Sequence, residues 1–114
     1  MASEDDVRRI CLGLPETTEN AAWGMPTFRV KNKIFASLGS EPGVLGFAVD
    51  QEERRELIAS APQIYFLKSG HDDNYHFARA RLPQIDVEEL AELLTESWRR
   101  IAPVRVRRAF DEGA

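Results

Sequence analysis

Three stretches of this chain repeat one arrangement: a short oxygen-bearing side chain stands three residues ahead of an acid, and apolar residues at helical spacing follow. They are Ser3-x-x-Asp6, Asp50-x-x-Glu53 and Asp86-x-x-Glu89. The first side chain of each can accept from an amide that the opening turn of a helix leaves free, and the acid suits the positive end of the helix dipole. Behind Ser3, Val7, Ile10, Cys11 and Leu14 recur at i, i+3, i+4 and i+7, and Gly13 and Pro15 stop the run. Behind Asp50 come Leu57, Ile58 and Ala61, closed by Pro62. Behind Asp86 come Val87, Leu90, Leu94, Trp98 and Ile101, closed near Pro103. Three amphipathic helices restrict the intervening chain to whatever can bury their stripes.

That intervening chain has strand character. PTFRV and KIFASL flank Lys31-Asn32 and predict a hairpin with a tight turn; VLGFAV follows the loop GSEPG. IYFL and YHFARARL flank KSGHDDN and predict a second hairpin with a longer connection. The order α-β-β-β-α-β-β-α predicts a two-layer α+β fold with helices packed on one antiparallel sheet. At 114 residues, one domain over 1–114 accommodates it with a core that needs no disulfide or metal. Residues from about 104 onward read as a short basic tail. In AAWGMPTFRV, Gly24 allows a sharp approach, Pro26 belongs at a strand's first residue, and Trp23 anchors the corner.

Composition bounds the class. With 43% hydrophobic and 30% charged residues, this is an ordinary folded domain. No apolar run approaches the roughly 18 residues a membrane helix needs, and the acidic opening MASEDDVRR is unlike a signal peptide. The expectation is a cytoplasmic, bacterial-type protein with no membrane partner, either monomer or homodimer. Cys11, the single cysteine, falls on an apolar stripe and reads as a small buried hydrophobe.

Catalytic chemistry finds little to stand on. The nucleophile elbow, P-loop, dinucleotide fingerprint and H-E-x-x-H are absent. His71 lies beside Asp72 and Asp73 in a loop that lacks calcium-site spacing, and His76 opens a strand. The carboxylates sit on helix faces, where capping and solvation account for them. The expectation is a non-enzymatic protein with no cofactor and no metal.

Basic residues beside aromatics carry the functional reading. The net charge of −4 argues against a general polyanion binder, but the charges are sorted. Residues 27–38 hold Arg29, Lys31 and Lys33 without an acid, and residues 97–110 hold Arg99, Arg100, Arg105, Arg107 and Arg108 without an acid. On YHFARARL, Tyr75, Phe77, Arg79 and Arg81 share one face, and His76, Ala78, Ala80 and Leu82 share the other, which suits helix packing. Arginines on a half-exposed sheet can contact phosphates through charge while aromatics stack on bases. The expected phosphate contacts are Arg29, Lys31, Lys33, Arg79, Arg81, Arg105, Arg107 and Arg108, with double-stranded DNA as partner. The alternative is a protein-interaction or small-ligand domain with a patch of Trp23, Phe28, His71, Tyr75 and Trp98.

LGLPETTENAAWGMPTFRVKNKIFASL resembles the opening of the MmcQ/YjbR family, through Leu14, Pro15, Trp23, Gly24, Pro26, Phe28, Lys33, Phe35 and Ala36. LGFAVDQEERRELIASAP resembles that family's following strand and helix, with Gln51 in place of the usual proline. The closing ELAELLTESWRRIAPVRVRR resembles its last helix, through Ser97, Trp98, Ala102 and Pro103. The resemblance covers roughly residues 5–108. It implies a two-layer α+β domain similar in topology to secretion-chaperone-like folds, and DNA binding through a winged arrangement of strands. His71 and Tyr75 match in kind a His-Tyr stretch of the family.

Overall fold

The computed structural model describes residues 1–22, 24–39, 41–67 and 76–113. The three caps form as their spacing predicts. Ser3 accepts from the Asp6 amide while Asp6 accepts from the Ser3 amide, opening α1 (Glu4–Leu12). Asp50 and Asp86 accept from the Glu53 and Glu89 amides, opening α2 (Gln51–Ser60) and α3 (Val87–Ile101).

The strands are β1 (Thr17–Ala22), β2 (Met25–Val30), β3 (Lys33–Leu38), β4 (Val44–Ala48), β5 (Tyr65–Phe66) and β6 (Phe77–Arg81). Together they form one antiparallel sheet in the order β1-β2-β3-β4-β6-β5. Lys31 and Asn32 both take positive φ in the β2–β3 turn, the backbone a tight hairpin with the strands' own twist requires. Ala22 pairs with Met25 across a second reversal in which Gly24 has φ 76°; Trp23 lies outside the described residues. Pro26 is the second residue of β2, one later than expected, opposite Ala21.

Two elements depart from the sequence expectation. TTENAA, with no apolar alternation and mostly exposed, is strand β1; its place comes from backbone pairing with β2. The expected basic tail from 104 is helix α4 (Val104–Gly113). Val106 and Phe110, one turn apart, give that helix an inner edge. Val106 is buried, and the Phe110 ring meets Trp98 edge-on with centroids 5.0 Å apart.

The register sorts the sheet into two faces. Phe28, Ala36, Phe47 and Ala78 stand in one cross-strand row, and Leu38, Leu45, Ala80 and Tyr65 in the next; all are buried. Phe35 has no partner because the β2–β3 register shifts between Phe28 and Arg29, and both Phe35 and Ala36 are fully buried. Such a bulge re-aims a side chain at the cost of one ladder position. α3 crosses this side over β3 and β4, with Ser97 donating to the Ala48 carbonyl and Tyr65 donating to Glu89. α1 packs on α3, and α2 lies against β5 and β6. The helical layer therefore gathers on one side of the sheet.

Candidate functional site

The row on the other side of the sheet runs Asn20, Thr27, Ser37, Gly46, Arg79 and Phe66. Its centre is small. A Cβ placed on Gly46 would stand 2.7 Å from the Ser37 hydroxyl, so the two strands hold a shallow floor there that a larger residue would fill. Its flanks are basic. Arg29 of β2 is half-buried and donates from Nε to the Thr27 hydroxyl at 3.2 Å, which in turn donates to the Asn20 carbonyl. Arg79 and Arg81 of β6 point to the same side by their alternation with buried Ala78 and Ala80. The Arg81 guanidinium lies 4.1 Å from the Phe66 ring centroid, an arrangement that holds the cation on a π face.

Strand spacing separates the Arg29 strand from the Arg79 strand by three steps, about 14 Å. β2 to β6 contain Arg29, Lys33, Arg79 and Arg81 and neither Asp nor Glu. The chain as a whole carries −4, so its acids lie outside these five strands. Phe66 has no basic neighbour in sequence nearer than Lys68. Its place beside Arg81 is set by the β5–β6 register, which the sequence pattern alone does not supply.

A family model described as YjbR matches residues 12–100. The chain belongs to the YjbR family. Uncharacterised proteins of Mycobacterium bovis and Mycobacterium tuberculosis are 37% identical to it over 125 residues, with 96% of each chain covered. The crystal structure of Deinococcus radiodurans protein DR2400, described by the family-model domain DUF419, superposes with TM-score 0.72 at 28% identity. That match covers 86% of this chain and 77% of the other. The expected α+β architecture and the resemblance to this family are both correct.

This YjbR domain does not bring the eight expected basic residues onto one surface. Arg29, Arg79 and Arg81 share the sheet face. Lys31 and Arg105 instead meet at Glu16, near the β2–β3 turn and the start of α4: Lys31 Nζ is 2.6 Å and an Arg105 nitrogen 3.8 Å from its carboxylate. These two cations, the Lys31 hydrogen bond first, hold the Glu16 carboxyl below its usual range. Lys33 is exposed at the start of β3, and Arg108 is exposed on α4. Arg107 is half-buried in the helical layer, where it lines a cleft between α2 and α3.

The alternative patch changes more. Phe28 and Trp98 are fully buried, and Trp98 donates its Nε1 hydrogen to the Pro15 carbonyl at 3.0 Å. Both are core residues, because Phe28 faces the helices and Trp98 lies on the inner stripe of α3, so neither can line a surface patch. Trp23, His71 and Tyr75 lie outside the described residues. No described helix is long and apolar enough to cross a membrane.

Proposed function

We propose that this YjbR domain is a non-enzymatic nucleic-acid-binding protein that meets duplex DNA through the sheet face opposite its helices. The observation that carries the reading is the charge sorting: five adjacent strands with four basic residues and no acid, in a chain of net charge −4. Arg29 and Arg81 are the principal phosphate contacts, with Arg79 in the row between them. Their strands stand about 14 Å apart, and the two residues lie at opposite ends of the face, on either side of the Thr27–Arg79 row. Guanidinium groups suit phosphate oxygens because they offer two parallel donors, and they stay protonated at neutral pH, so they position an anion without moving protons.

The test is a polarisation titration of a labelled duplex at several salt concentrations. Each phosphate contact contributes roughly 0.9 to the slope of log affinity against log salt, so Arg29→Ala with Arg81→Ala should reduce that slope by about 1.8. The loss should be the same for unrelated duplex sequences, since phosphate contacts carry no base information. Affinity insensitive to salt, or unchanged in the double variant, would sink the proposal.

A further inference from the structure

The helical layer carries a second feature, remote from the sheet face. Between α2 and α3 runs a cleft of about 600 Å³, with Phe47, Leu57 and Leu93 among its apolar walls. That volume falls within the range of roughly 300–1,000 Å³ typical of small-molecule sites. Its walls carry charges of both signs. Asp50 and Glu53 project from the start of α2, and Glu92 and Glu96 from α3. At the end of α3 the lining turns basic, with Arg99, Arg100 and, from α4, Arg107.

Some of these charges are matched within the protein. Arg99 pairs with Asp111 and stands 3.8 Å from Glu96, and Arg100 stands 3.8 Å from Asp50. Two requirements are left over. Glu53 is crowded: burial first, then Asp50, Glu96 and Glu56, push its carboxyl above the usual range against the pull of Arg100. The Arg107 Nε is buried and makes no hydrogen bond, although the same guanidinium acts on the Asp111 carboxylate. A bare metal ion would answer neither need, because no group of three or more His, Cys, Asp or Glu among the described residues is placed to hold one. A ligand with a cation at one end, a carboxylate at the other and an aliphatic stem would answer both.

We propose that this cleft binds a free basic α-amino acid of the arginine or lysine class. The side-chain cation lies between Glu53 and Glu96 and the carboxylate accepts from Arg107, the stem spanning the turn of α3 that separates Glu96 from the basic end. Glu96 and Arg100 are one helical turn apart, about 6 Å along the axis, so the acidic and basic parts of the cleft fit within the length of one extended amino acid.

Calorimetric titration of the intact protein tests this with L-arginine and L-lysine as probes. Agmatine, which lacks the carboxylate, and norleucine, which lacks the side-chain cation, serve as comparisons. Saturable binding of at least one basic amino acid is expected, with agmatine and norleucine weaker by about tenfold or more. Glu53→Gln and Arg107→Met should each weaken binding by about tenfold while keeping the wild-type circular dichroism and DNA affinity. Retained DNA affinity keeps this result separate from the sheet-face reading. The proposal is overturned if neither amino acid saturates at millimolar concentration, if agmatine binds as well as arginine, or if both variants bind as the wild type does.

Discussion

Cys11 sits at 0% exposure on the inner stripe of α1, and burial, aided by the Glu19 carboxylate, pushes its thiol up to about 12. The folded state therefore favours the neutral thiol. Whatever stability this contributes is present while the thiol is protonated in both states, and is lost as pH rises from the ordinary thiol range toward 12. At pH 8 a disulfide reagent should leave Cys11 unmodified in the native protein and react fully once denaturant is added; native-state reaction at the unfolded rate would contradict the burial. The stripe through Val7, Ile10, Cys11 and Leu14 made this residue legible, because helical spacing reports a buried face directly. Phe28 and Trp98 show the opposite case. A large aromatic suits a core and a ligand patch equally, and only the packing of α3 across β3 and β4 decides between them.

The elements legible in the chain are those with local causes. A cap three residues from its acid, a two-residue hairpin turn and a helical stripe each draw on neighbours in sequence. β1 has none of these; its residues are strand because β2 offers a free edge, and the bidentate contact of Arg8 with Glu19 ties that edge back to α1. α4 hid behind its arginines, since Val106 and Phe110 become an apolar edge only when Trp98 is there to receive them. If the segment is a docked helix, the amides around Arg107 to Phe110 should exchange with solvent more slowly than in a free peptide of the same sequence. Phe110→Ala should release that protection and lower the urea midpoint, at a cost on the order of 1–3 kcal/mol for a half-buried aromatic. Protection unaltered by this substitution would show that the Trp98 contact does not hold the helix.

On the scale of the molecule, the register converts a dispersed sequence pattern into two chemically distinct sides. The alternation of YHFARARL already placed Arg79 and Arg81 together, so that part of the candidate interface was legible. Which other cations join them depends on strand order, and the order β4-β6-β5 is set by non-local pairing that no window of sequence contains. The separation of the two sides has a measurable outcome: DNA and a basic amino acid should bind independently, with the affinity for each unchanged when the other is saturating. A mutual shift in the two titrations would mean the sides communicate through the sheet. The hydrogen bond from Trp98 to Pro15 joins residues 83 positions apart. During synthesis the β1–β4 meander can pair as it emerges, but the side chain that fills the middle of the core is made only after all six strands. A nascent chain must therefore carry an uncovered apolar sheet until α3 appears, and chaperone contact, rather than mature stability, is where selection on the early strands would first be felt.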